Sequence, residues 1–307
     1  MRSTTDINTR GLMALLPRSW QPYAQVMRLD RPIGWWLLVL PAYWAILTIG
    51  IIIKAPIGHS LYLIMLFTIG AIVMRGAGCV VNDLWDRDLD RSVSRTKDRA
   101  IAAGLITPMQ ALIFLAGLGL IGLVILLTLP LVAIWAGIAS LPLIILYPLA
   151  KRVIGLPQII LALTYGWGTW LGWTAHDTPP DLLTGIMYAA TAFWIFGYDT
   201  IYAIQDMKDD QEIGIKSSAL TLGEYLTPVV AGCYLAFLAG MLVIGALRDA
   251  HPVYYIGLAV LAFHLRGQLR RIDRNDPYGA GVIFRSNRDA GLIITAGLLA
   301  ESLIILP

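Results

Sequence analysis

The chain has 307 residues, 57% of them hydrophobic and 14% charged, with a formal net charge of +3. With a mean hydropathy of +0.69, this composition excludes a soluble globular domain. Repeated apolar runs of about 20 residues point to a polytopic, all-α membrane protein, because lipid offers open backbone no partner and the runs are too long for barrel strands.

Residues 1–27 read as a cytoplasmic N-terminal segment. Within it, residues 11–27 could lie as an amphipathic helix on the membrane surface, interrupted by Pro17 and Pro22. The first thirty residues lack a continuous apolar core, which argues against a cleavable signal peptide, and Asp6 favours a plain bacterial tail over a transit peptide. From residue 28 to 307 no linker divides the chain, so one intramembrane domain is expected. Nine spans are predicted, at about 32–53, 60–81, 107–128, 130–149, 156–175, 181–204, 226–247, 252–268 and 289–306. The short gaps near 129 and at 248–251 make their neighbours antiparallel hairpins.

Basic residues give the orientation. With the N-terminus cytoplasmic, Arg2, Arg10, Arg18, Arg28 and Arg31 lie inside. So do Arg87, Arg91, Arg95, Lys97 and Arg99 after the second span, Lys151 and Arg152 after the fourth, and Lys208 and Lys216 after the sixth. Arg266, Arg270, Arg271, Arg274, Arg285 and Arg288 surround the loop after the eighth. The opposite side receives only Lys54 and Arg248, and Arg75 falls within the second span. The positive net charge therefore reflects topology rather than affinity for nucleic acid. A bacterial inner membrane is the expected location.

Two acidic clusters interrupt this pattern, at residues 82–90 (NDLWDRDLD) and 206–212 (DMKDDQE). They hold eight of the twenty acidic residues and stand at the ends of apolar runs, where carboxylates are costly. Both follow an even-numbered span on the cytoplasmic side, a spacing that suggests two four-helix halves plus a final helix. Asn82, Asp86 and Asp90 are four apart, which keeps them on one helical face. Asp206 and Asp210 repeat the spacing, and Asp199 lies seven residues before Asp206 on the same face. Mg²⁺ takes one or two carboxylates together with phosphate oxygens and water, so these rows suit a metal-bound diphosphate. Two other readings compete: a solvated helix end laced with ion pairs, as Arg87 and Arg91 around Asp88 suggest, and a proton or cation pathway.

Cations near the acidic rows suit phosphate oxygens and a departing diphosphate. Arg95 and Lys97 follow the first cluster, Lys216 follows the second, and Tyr147, Lys151 and Arg152 end the fourth span. For each single cation the competing role is positive-inside anchoring. The tryptophans read mostly as interface belt or packing, some of them able to line an apolar tunnel or shield a carbocation. Cys79 and Cys233 both fall in apolar spans, and the four histidines show no ligand spacing, so neither a disulfide nor a thiolate or imidazole metal site is expected.

These residues carry a family resemblance. Asn82-Asp83-x-x-Asp86-x-x-x-Asp90 followed by RTKDRA (95–100) resembles the first motif of the UbiA superfamily of intramembrane prenyltransferases. YDTIYAIQD (198–206), DD (209–210) and GIKSSA (214–219) resemble the second, in the form typical of the 4-hydroxybenzoate polyprenyltransferase branch. RLDRPIGWWLLVLPAYW (28–44) and YPLAKR (147–152) match the same branch, so the likeness spans about residues 25–300. It implies nine transmembrane helices around a central cavity, Mg²⁺ dependence and a polyprenyl diphosphate donor. By position, Asn82, Asp86 and Asp90 would hold the first metal group and Asp206 and Asp210 the second. Tyr147, Lys151 and Arg152 would sit near the diphosphate or the aromatic acid. The family usually has Pro at the place of Ala100 and Ser at that of Ala103, a departure within the loop that caps the site.

The implied reaction is an electrophilic aromatic substitution, in which the ring carbon ortho to the hydroxyl of 4-hydroxybenzoate captures an allylic cation. Arg28, at the mouth of the first span, is a candidate for the acceptor's carboxylate. The rivals are a sister prenyltransferase using homogentisate, a naphthoate, a haem or a chlorin, and an ion-coupled membrane transporter.

Overall fold

The computed structural model describes residues 11–92, 96–146, 155–213 and 216–306, and helix is the only regular structure among them. Two short helices, α1 (Gln21–Val26) and α4 (Arg87–Ser92), flank the long α2 (Ile33–Ile52) and α3 (Ile57–Trp85). After them come α5 (Pro108–Leu127) and α6 (Leu131–Ala139, resuming after a turn at Ser140). α7 (Gln158–Gly166), α8 (Gly168–Thr174), α9 (Leu182–Tyr202), α10 (Met207–Ile213) and α11 (Ser218–Leu222) precede three long helices. Those are α12 (Leu226–Leu247), α13 (Pro252–Leu269) and α14 (Pro277–Ile305).

Helix underlies the described part of each expected span, and four segments are long and apolar enough to cross a membrane: Ile33–Ile52, Ile57–Trp85, Pro108–Leu127 and Ser218–Leu247. α9 and α14 are long too, but they mix polar groups into their buried faces, among them Thr191 and Thr200 on α9 and Asn287 and Glu301 on α14. α14 also begins at Pro277 rather than near 289. Asp276 caps it by accepting from the Gly279 amide at 2.9 Å, and Pro277 presets the first turn. The fifth expected span is split between α7 and α8 at Trp167, whose Nε1 donates to the Ala136 carbonyl at 2.8 Å. There the backbone runs against α2, and a Cβ on Gly172 would come within 2.5 Å of the Ala42 carbonyl oxygen.

The chain packs as two compact units, one of residues 1–36 and 66–128, the other of 37–65 and 129–307. They do not follow the four-helix halves suggested by the spacing of the acidic clusters. In the first unit, Val73, Ala77 and Val80 of α3 meet Ala111 and Leu118 of α5, with Val26 beside them. Ala100, Ile101 and Ile106 of the polar loop join the same core. That loop is therefore folded onto the helices by apolar burial, about 1.5–3 kcal/mol for each large side chain fully removed from water. Gly104 closes it with a left-handed φ of 76°, which glycine adopts without steric cost. At Ala100, where the resemblance implies Pro, the carbonyl accepts from Leu105 at 2.8 Å while its own amide makes no backbone bond among the described residues. Alanine thus serves in proline's place.

The second unit is built round aromatic rings. Trp44 lies 5.0 Å from Trp194, and Trp194 lies 4.9 Å from Tyr198 and 5.7 Å from Phe237. Trp44, Trp173 and Trp194 are fully buried, so these three are packing residues and not an interface belt. Two of their three polar edges are matched, Trp194 Nε1 donating to Asn287 Oδ1 at 3.0 Å and Trp44 Nε1 to the Gly291 carbonyl at 3.1 Å, whereas Trp173 Nε1 is buried without a hydrogen-bond partner among the described residues.

His176, in the turn after α8, is buried beside Ser60, with ring centroids 5.1 Å from His59. Burial and the neighbouring His59 lower its pKa from 6.5 to about 4. Between those values the unfolded chain takes up a proton that the folded chain refuses, so stability is full above the window and falls as the pH drops through it. This one group should cost on the order of 2 kcal/mol of unfolding free energy between pH 7 and pH 5. Denaturant titration of wild type and His176→Gln at both pH values should show the slope reduced by that amount in the variant.

Candidate active site

α3 is apolar for most of its length and turns polar in its last turn, at Asn82 and Asp83. Helical register continues past it, since the Asp86 amide donates to the Asn82 carbonyl at 2.9 Å and the Asp90 amide to that of Asp86 at 2.8 Å. The four-residue spacing thus sets Asn82, Asp86 and Asp90 in one row across the junction of α3 and α4. Asn82 is exposed, Asp86 half-buried and Asp90 buried. No hydrogen bond or ion pair joins the side chains of Asn82 and Asp86 to other described residues.

Asp90 and Asp83 are held by arginines. Arg99 Nη1 lies 3.0 Å from Asp90 Oδ2 and 3.5 Å from Asp83 Oδ1. Arg28 Nη2 donates to the same Asp83 oxygen at 2.6 Å, while its Nη1 donates to the Gln25 carbonyl at 3.1 Å. Arg28 takes a left-handed φ of 58°, a conformation that costs a residue with a β-carbon roughly 1–2 kcal/mol. The residue expected at the acceptor's carboxylate is therefore engaged with Asp83, whose side chain is 1% exposed. The 82–106 segment is tied down further by Thr96 Oγ1 on the Asp90 carbonyl at 3.1 Å and Arg91 Nε on that of Ala102 at 3.0 Å. Lys97 is exposed on this loop. Asp88 is exposed as well, and its hydrogen bond and charge contact with Arg87, aided by Arg91, hold its carboxyl below the ordinary range. For Asp88 the solvated ion-pair reading is the right one.

Sequence reasoning passed over Arg75 and Arg99. Arg75 is a half-buried cation inside an apolar helix, itself a signal of function. Seven residues before Asn82, it shares that residue's face of α3, with Nη1 3.0 Å from Cys79 Sγ. Arg99 could have been found as the second arginine of RTKDRA.

The second row stands in the other unit. Asp199 is half-buried near the end of α9, Asp206 ends a 3-10 turn (Ala203–Asp206) and Asp210 lies in α10. The 3-10 turn winds tighter than an α-helix, so Asp206 is rotated away from the position that a continuous helix through Asp199 would give it. Beyond the row Lys216 is exposed, while Ser218 is buried, its amide on Gln158 Oε1 at 3.0 Å and its hydroxyl on Thr200 Oγ1 at 2.9 Å. Arg95, Tyr147, Lys151 and Arg152 lie outside the described residues.

Among the described residues no three His, Cys, Asp or Glu gather to hold a metal ion by themselves. Mg²⁺ does not require such a set, because substrate oxygens and water fill most of its octahedron. Asn82 and Asp86, two uncommitted oxygen donors one turn apart, fit that demand.

Solved structures share the fold. A UbiA homologue from Archaeoglobus fulgidus bound to GPP and Mg²⁺ superposes with a TM-score of 0.70 at 16% identity, covering 93% of this chain and 99% of that one. The apo UbiA homologue from Aeropyrum pernix K1 gives 0.68 at 20% identity, over 85% and 97% of the two chains. The fold is thus that of the UbiA homologues, all-helical among the described residues, with four segments long and apolar enough to cross a membrane. The chain belongs to the UbiA prenyltransferase family, whose sequence profile matches residues 38–287. It is 42% identical over 299 residues to the mitochondrial 4-hydroxybenzoate polyprenyltransferase of Homo sapiens, covering 97% of this chain and 80% of that protein. The Caenorhabditis elegans protein of the same name is 41% identical over 96% of this chain and 82% of its own.

Proposed function

We propose that the protein transfers a polyprenyl group from polyprenyl diphosphate to the ring carbon ortho to the hydroxyl of 4-hydroxybenzoate, releasing diphosphate, as a step of ubiquinone biosynthesis. The observation that carries this reading is the identity of about 40% along almost the whole chain to 4-hydroxybenzoate polyprenyltransferases. The uncommitted Asn82/Asp86 pair supports the diphosphate chemistry.

Asn82, Asp86, Asp90, Asp206 and Asp210 are the residues that would hold Mg²⁺. When bound, Mg²⁺ supplies charge neutralisation for the leaving diphosphate. Arg95, Lys97, Lys151, Arg152 and Lys216 are the cations that would bind phosphate oxygens of the donor, with Tyr147 and Asp199 as further substrate-binding candidates. Nine crossings with both acidic rows cytoplasmic are the reading that the basic-residue bias supports, and a bacterial inner membrane is proposed as the location. Breaking the C1–O bond leaves an allylic cation, which apolar surroundings protect from water until the ring carbon attacks and its proton departs.

Besides Arg28, the half-buried Arg75, on the same face of α3 as Asn82, is a second candidate for the acceptor's carboxylate. Arg75→Ala should raise KM for 4-hydroxybenzoate by about tenfold or more, as loss of a charged hydrogen bond does, and leave KM for the donor near its original value. Arg28→Ala should lower stability instead. A rise in acceptor KM confined to Arg28→Ala would assign that role to Arg28. The reaction itself is tested with purified protein, Mg²⁺, an oligoprenyl diphosphate and a panel of 4-hydroxybenzoate, homogentisate, a naphthoate and no acceptor. Diphosphate release coupled to 4-hydroxybenzoate alone is the expected result. Preference for another acceptor would replace the substrate, and cation-coupled uptake without diphosphate release would replace the class.

A further inference from the structure

The two basic residues that the charge bias leaves on the far side, Lys54 and Arg248, line one cavity of about 350 Å³ in the second unit. Leu183, the second residue of α9, lines it too, whereas Asp206 follows the other end of that helix, roughly 30 Å away along its axis. The cavity is thus remote from the second acidic row.

Its lining carries four charges. Arg248 and Glu301 form a two-pronged pair, Nη1 to Oε1 at 2.9 Å and Nη2 to Oε2 at 2.5 Å, with side chains 2% and 0% exposed. That pair neutralises itself, though Arg248 Nε remains buried without a hydrogen-bond partner among the described residues. Lys54 and Asp249 are exposed, and their side chains pair with no other described residue. Each follows a long helix and takes a left-handed backbone, φ 55° and 52°, where glycine would be free of strain. In both places the left-handed residue closes a helix end, the Ala55 amide donating to the Gly50 carbonyl at 2.8 Å and the Ala250 amide to the Gly245 carbonyl at 2.9 Å, so the two exposed charges are held at fixed positions on the rim of the cavity. Around them Ile52, Leu183, Leu247 and Ile305 supply an apolar wall.

We propose that this cavity binds a phospholipid whose headgroup carries both a phosphate and a primary ammonium. Lys54 takes the phosphate, Asp249 takes the ammonium, and the acyl chains run along the apolar wall. One unpaired cation beside one unpaired anion matches a zwitterion. An anionic headgroup would leave Asp249 facing like charge.

Native mass spectrometry of the full chain, released from detergent with equimolar phosphatidylethanolamine, phosphatidylglycerol and phosphatidylcholine of matched chains, tests this directly. The phosphatidylethanolamine adduct should be retained at least about fivefold over the other two. Lys54→Gly and Asp249→Gly should each abolish that preference while raising the melting temperature in lipid-free detergent, because they relieve the left-handed backbone. Soluble phosphoethanolamine in place of lipid should not be retained; retention would make the site a free-headgroup site and overturn the lipid assignment. Equal retention of the three lipids, a preference for phosphatidylglycerol, or an unchanged preference in both variants would overturn the proposal.

Discussion

Asp86→Ala and Asp206→Ala should each reduce diphosphate release with 4-hydroxybenzoate by about 10²–10³-fold or more, the scale on which removal of one preorganised charge-stabilising group acts. Asp86 is half-buried and uncommitted within its row, so its loss removes an oxygen donor without orphaning a protein partner. Its effect should fall on kcat and on the concentration of Mg²⁺ needed for half-maximal rate, with little change in melting temperature. Asp88→Ala is the matched control. That carboxylate is exposed beside Arg87 and Arg91, where solvent screens ion pairs and they contribute little, and turnover should stay within about twofold of wild type. Mn²⁺ binding followed by electron paramagnetic resonance gives a readout independent of turnover. Wild-type Mn²⁺ affinity and full activity in both Asp86→Ala and Asp206→Ala would sink the metal assignment.

What could be read from the sequence follows from which forces are local. The lengths of α2, α5 and α12 were legible because a bilayer sets the number of apolar residues needed to cross it. The start of α14 was not, since hydropathy takes Arg285 and Arg288 for a loop while the Asp276 cap and the buried Asn287 contact sustain helix through them. The row of Asn82, Asp86 and Asp90 was legible for a local reason as well: two backbone hydrogen bonds carry its register across the end of α3. Arg28 and Asp83 lie 55 residues apart, and nothing in the spacing of either could disclose their ion pair. The same holds for Trp44, which looks like a belt residue until its Nε1 is found donating to the Gly291 carbonyl at 3.1 Å. Long-range polar contacts depend on how helices pack, which no periodicity records.

The largest stability loss is expected at Arg248 and Glu301. Both side chains are almost wholly buried, and Glu301 Oε1 also accepts from the His251 amide at 2.8 Å. Arg248 stacks over Tyr254, 4.6 Å from the ring centroid. Glu301→Gln would strand the guanidinium in a site without counter-charge, and Arg248→Met would strand the carboxylate. Each should cost about 3–5 kcal/mol, because the solvation lost on burial is no longer offset. Arg248→Met with Glu301→Leu removes both charges and should recover most of that loss, retaining a deficit of about 1–2 kcal/mol from the unpaired His251 amide. Denaturant titration of the detergent-solubilised single and double variants closes this cycle. If the double variant lost the sum of the two single losses, the residues would be acting separately, through packing and capping, and the pair would not be the unit that holds α14 to the end of α12.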